Sequence, residues 1–108
     1  MSVDFCIGKY GYSKFQSEEP YVEVIKDNTT YFGWYDCIEN VIYLNKTCMF
    51  NTTEYCKTII HEYQHYLQSP TWNTRYDRKF IYSKHPYEKQ AEFIAVKDYK
   101  KLMRYLRK

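Results

Sequence analysis

Residues 61–65 read His-Glu-Tyr-Gln-His, with the two histidines four positions apart. On a helix that spacing is about 400° of rotation, so both imidazoles stand on one face, one turn apart, and can share a metal ion. Glu62 lies about 100° round from His61, where its carboxylate reaches a water held by the metal rather than the metal itself. That division of roles is the one peptide hydrolysis requires. Zinc lowers the pKa of a coordinated water to about 7 and polarises the substrate carbonyl, while the carboxylate takes the proton and passes it to the leaving amine. The expected cofactor is Zn²⁺, with His61 and His65 as ligands and Glu62 as the catalytic residue.

A catalytic zinc ion takes three protein ligands and keeps a further position open. The extended pattern His-Glu-x-x-His-x-x-Gly-x-x-His, which draws its third ligand from the same segment, is excluded because residue 68 is Gln and residue 71 is Thr. Three candidates remain downstream: His85, Glu88 and Glu92. The two carboxylates are i, i+4 and share a helix face. One can bind zinc while the other accepts a hydrogen bond from the free nitrogen of a ligand histidine. Ala91 and Ala95 are small enough to let two helices approach closely.

These side chains need helices to hold them, and the local pattern supplies two. Asn51 is a good N-cap with Glu54 three residues on, and Ile59, Ile60, Tyr63, Tyr66 and Leu67 form an apolar stripe at helical spacing. A helix over 52–68 follows, ended by Ser69-Pro70. Residues 71–84 show no clear period. Pro86 suits a first helical turn, and the good helix formers beyond it extend a second helix over 86–108. Upstream, Tyr21–Ile25, Thr29–Trp34 and Val41–Leu44 are strand-like, separated by reversals at Lys26-Asp27-Asn28 and Glu39-Asn40. The expected sheet is a three-stranded antiparallel meander within 21–50. Residues 1–20 show no sustained period and are left unassigned. The fold class is α+β: a small sheet, then an active-site helix, then a C-terminal glutamate helix, in a single domain over 1–108.

This combination of strands, a His61-Glu62-Tyr63-Gln64-His65 helix and a later Glu88-Lys89-Gln90-Ala91-Glu92 resembles the gluzincin metallopeptidases, especially the minimal single-domain minigluzincins. The second segment is also similar to the Glu-x-x-Ala motif of ImmA and IrrE type metallopeptidases. The resemblance covers roughly residues 21 to 100. It implies zinc-dependent endopeptidase activity on a protein or peptide substrate, with Glu88 as third ligand and Glu92 supporting a ligand histidine, where Asp or Asn is commoner. It also implies that the Val41–Leu44 strand is the edge beside the cleft and can hold an extended peptide by strand addition. Tyr76, Tyr82 and Tyr87 are candidates for the donor that stabilises the oxyanion.

The composition agrees with one small folded domain. The 108 residues, 44% hydrophobic and 20% aromatic, provide core material despite a mean hydropathy of −0.73, and exclude separate cofactor and substrate lobes. No apolar run is long enough to span a bilayer, and Met1 to Phe15 lack the basic start and apolar stretch of an export signal. The expected location is the cytoplasm, away from membranes. Cys6, Cys37, Cys48 and Cys56 form no Cys-x-x-Cys pair and read as reduced, packed thiols. Charge is uneven: residues 1–57 carry 5 Lys and Arg against 8 Asp and Glu, and residues 58–108 carry 11 against 5. The alternative function is therefore a protein with structural zinc whose basic C-terminal helix contacts nucleic acid or an acidic partner. No nucleic-acid motif accompanies the charge.

Overall fold

The computed structural model describes residues 2–26, 32–46, 51–68 and 86–107. The chain runs α1 (Ser2–Tyr10), β1 (Tyr21–Ile25), β2 (Gly33–Asp36), β3 (Val41–Asn45), α2 (Thr52–Leu67) and α3 (Pro86–Leu106). This is the expected α+β arrangement, a three-stranded sheet followed by two helices. His85, Cys48, Tyr76 and Tyr82 fall outside the described residues.

The strand pairing departs from a meander. The sheet order is β1-β3-β2, with β1 parallel to β3 and β2 antiparallel to it. Two features account for this. Val41-Ile42-Tyr43-Leu44 is the more apolar strand, and the centre of the sheet buries Ile42 and Leu44 completely or nearly so, whereas most of β1 is exposed. Asn40 then fixes where β1 starts. Its carbonyl accepts from the Tyr21 N–H at 3.1 Å, and its side-chain amide donates to the carbonyls of Glu18 and Glu19. The beginning of β1 is thus tied to the beginning of β3, which makes the pair parallel. Asn40 adopts φ 58°, a conformation asparagine tolerates better than most residues. Asp36 closes the same β2–β3 turn by accepting from the backbone of Ile38 and Glu39.

Helix α2 begins as its sequence indicates, with the Asn51 side chain accepting from the Glu54 N–H at 3.2 Å. Its apolar stripe packs on β3 from one side and against α3 from the other. Ile59, Ile60, Tyr63 and Tyr66 join Ile42, Leu44, Ala95 and Leu102 in one core. Ala91 and Ala95 are fully buried, so the two helices meet across small side chains. The tyrosines bury their rings while their hydroxyls reach backbone: Tyr63 donates to the carbonyl of Gly11, and Tyr66 to that of Glu18.

Helix α1 lies in the stretch left unassigned. Its nine residues include Gly8, and isolated helices this short are marginal. Tertiary contacts hold it: Cys6 is in the core, Ser2 bonds the Tyr55 hydroxyl at 2.8 Å, and Tyr10 donates to the buried carboxylate of Asp98 at 2.6 Å. Cys6, Cys37 and Cys56 are free thiols.

Gly33 is where β2 comes closest to its neighbours. A Cβ there would sit 2.6 Å from the Tyr43 carbonyl oxygen and 2.9 Å from Thr58 Cγ2. Gly33→Ala is therefore expected to lower stability by about 1–3 kcal/mol, the usual range for overpacking. Urea denaturation checks this, and an unchanged midpoint would show that the strand can shift without cost.

Candidate metal centre

The last three turns of α2 carry His61, Glu62 and His65, and the first two turns of α3 carry Glu88 and Glu92. Packing of these helices across Ala91 and Ala95 brings the two sets together. Glu88 reaches both imidazoles: its Oε2 lies 2.9 Å from His61 Nε2 and its Oε1 2.6 Å from His65 Nε2. One ligand-capable atom from each of His61, His65 and Glu88 lies within 4.8 Å of the others. The rings of His61 and His65 have centroids 5.0 Å apart, as expected for an i, i+4 pair on one face.

The outward nitrogens are also engaged. His61 Nδ1 is 3.2 Å from Glu92 Oε2, and His65 Nδ1 is 2.6 Å from Gln68 Oε1. Glu92 thus lies against His61, in the place from which it would support that ring if His61 held a metal. Sequence reasoning missed Gln68. The available signal was its place three residues after His65, the same side of the helix one turn on.

No protein-family model, curated protein or solved structure matches this chain. A set of two imidazole nitrogens and a carboxylate is a donor set zinc accepts. The fit is supported by His65 Nε2, which is buried and faces the Glu88 carboxylate, 2.6 Å from its Oε1. Two atoms that each offer a lone pair lie this close only with a proton or another cation shared by them, and a metal ion is one such cation.

Electrostatics fit the same picture. Burial disfavours charge on His61, but the Glu88 hydrogen bond and the carboxylates of Glu62, Glu88 and Glu92 outweigh it and push its pKa up to about 9. His65 moves in the same direction, with burial again overcome by Glu88 and Glu62. Burial would raise Glu88, yet the two histidines hold it down at about 2. Without metal, protons on the imidazoles balance these carboxylates. A divalent cation can replace them.

Glu62 is 5% exposed, and burial raises its pKa although His65 and His61 oppose the shift. It lines an open cleft of about 310 Å³ together with His61, Glu92, Thr58, Gly33 and Phe32. The strand beside this cleft is β2, not the expected Val41–Leu44 strand. β3 has neighbours on both sides, so its backbone groups are already paired, while β2 lies at a margin of the described sheet. Tyr87, an oxyanion-donor candidate, does not line the cleft; its backbone carbonyl instead accepts from Gln68. Among the described residues no helix is long and apolar enough to cross a membrane.

Proposed function

We propose that this protein is a zinc-dependent endopeptidase of the gluzincin kind. The observation that carries the reading is the convergence of His61, His65 and Glu88 beside the buried carboxylate of Glu62, at the wall of an open cleft. His61 and His65 would hold the ion through Nε2, and Glu88 through its carboxylate. Zinc bound there would supply Lewis acidity and lower the pKa of water. Glu62 takes a proton from the attacking water on a carboxylate oxygen and returns it to the nitrogen of the leaving amine. Glu92 and Gln68 orient the two ligand rings. The β2 margin offers backbone groups to an extended peptide, with Gly33 keeping that wall free of a side chain.

A structural site closes zinc with four protein ligands, whereas a catalytic one keeps a position open. The open cleft beside His61 and the buried Glu62 provides room for such a position, and this favours the peptidase over the reading in which zinc is structural and the basic helix α3 binds nucleic acid or an acidic partner. The protein acts in the cytoplasm, where the thiols of Cys6, Cys37 and Cys56 stay reduced.

The deciding experiment is a crystal structure with anomalous data across the zinc edge, paired with cleavage of a peptide library read by mass spectrometry. One zinc on His61, His65 and Glu88, with zinc-dependent cleavage, is the expected result. A fourth protein ligand on the ion, together with salt-sensitive nucleic-acid binding and no cleavage, would replace it with the structural-zinc reading.

A further inference from the structure

Gln68 grips His65 twice. As the C-cap of α2 it donates its backbone N–H to the His65 carbonyl at 3.2 Å, and its side-chain Oε1 lies 2.6 Å from His65 Nδ1. The other end of the same amide crosses to α3. Nε2 is 3.2 Å from the Tyr87 carbonyl oxygen and 3.0 Å from Gln90 Oε1.

These contacts decide the direction of every hydrogen bond in the chain. A backbone carbonyl only accepts, so the amide atom facing Tyr87 must be the nitrogen. The oxygen then faces His65, and an oxygen there requires Nδ1 to donate. In the neutral ring the remaining nitrogen, Nε2, carries the lone pair. That is the buried nitrogen turned toward Glu88, 2.6 Å from its Oε1.

We propose that Gln68 is a positioning residue: it holds His65 in the Nδ1–H form with Nε2 presented for a ligand, and by the same amide docks the first turn of α3 onto the end of α2. Its consequence for metal affinity rests on the zinc reading above; its control of the ring does not. The neutrality of the amide matters, because a carboxylate would still accept from Nδ1 but would set an oxygen against the Tyr87 carbonyl. The two ligand histidines are also held unequally. Glu92 supports His61 with a side chain 61% exposed, where water can replace it, whereas Gln68 is 8% exposed and has no such substitute.

The test has two readouts. Long-range proton–nitrogen correlation spectra of the metal-free protein, at a pH where the imidazole is neutral, report the tautomer of His65. Zinc affinity is measured by competition with a chromophoric chelator. The wild-type protein is expected to show the Nδ1–H form, and Gln68→Leu a mixture of tautomers with zinc binding weakened about 10- to 100-fold, as for other groups supporting a metal ligand. Gln68→Glu should restore the Nδ1–H form while melting at a lower temperature, separating ring control from helix docking. A wild-type His65 protonated on Nε2 overturns the proposal without any variant having to fold. So does Gln68→Leu with unchanged tautomer and zinc affinity. A wild-type protein that binds no zinc while His65 remains Nδ1–H, lost in Gln68→Leu, removes the zinc reading and supports the role of Gln68.

Discussion

Glu62→Gln is expected to bind one zinc ion as tightly as the parent and to lose about 10²- to 10⁴-fold or more in kcat, the range contributed by a positioned general acid–base group. The amide keeps the volume of the buried carboxylate in the cleft wall but cannot accept a proton. Glu62 lies on the cleft wall next to His61, apart from the cluster of ligand atoms, so metal content should not change. Zinc stoichiometry and turnover of a library-derived peptide, measured on the same preparation, make the comparison. Equal turnover would remove Glu62 from the mechanism. Loss of zinc from the variant would place it among the ligands.

The second large effect concerns stability. A zinc ion held by His61, His65 and Glu88 would bridge α2 and α3, so at free zinc about 1,000-fold above Kd it should stabilise the fold by about 4 kcal/mol. Chelation should then lower the melting temperature by more than about 10 °C, and His65→Ala should melt at the same temperature with or without the metal. A melting temperature indifferent to chelator in the parent would sever the link between metal and fold.

The pH dependence follows from the same groups, with opposite signs in the two forms. In the metal-free protein His61 is raised to about 9, so its contribution is complete below its unfolded value of 6.5 and is lost as pH rises through 9. Glu88 is lowered to about 2, so its contribution is complete above 4.5 and is lost as pH falls through 2. These two groups therefore favour the metal-free fold most between about pH 4.5 and 6.5. Zinc requires unprotonated imidazoles and competes with those protons. The gap in melting temperature between zinc-loaded and metal-free protein should widen from pH 6 to pH 9. A gap that narrows over that range would show that His61 is not displaced from its proton by the metal.

Much of the candidate site was legible because its first half is local. The separation of His61 from His65 fixes their common face once the segment is helical, and Asn51 and the Ile59, Ile60, Tyr63, Tyr66 stripe make it helical. The carboxylate partner was narrowed by helix spacing to Glu88 or Glu92, with His85 beside them. Naming Glu88 took a resemblance, because residues 69–85 separate the two helices and no local rule sets how far one slides along the other. The geometry brings Glu88 to both Nε2 atoms and Glu92 to Nδ1 of His61. Gln68 was read as the absence of a glycine, since its role lies in atoms of Tyr87 and Gln90 across the helix junction.

The amino-acid sequence by itself determined what repeats over one or two turns: the strands near Tyr21 and Val41, the start of α2, the shared face of His61 and His65, and the small residues that let α3 approach. Tertiary structure decided whatever depends on partners distant in the chain. Helix α1 is held by Tyr55 and Asp98, residues far downstream of it. The sheet is mixed because Asn40 binds the residues entering β1 and because the more apolar strand takes the buried centre. That exchange moved the strand margin beside the cleft from β3 to β2. Turn signals announce that a chain reverses, but which strand it then pairs with is set by burial and by long-range hydrogen bonds, and these exist only once the core has formed.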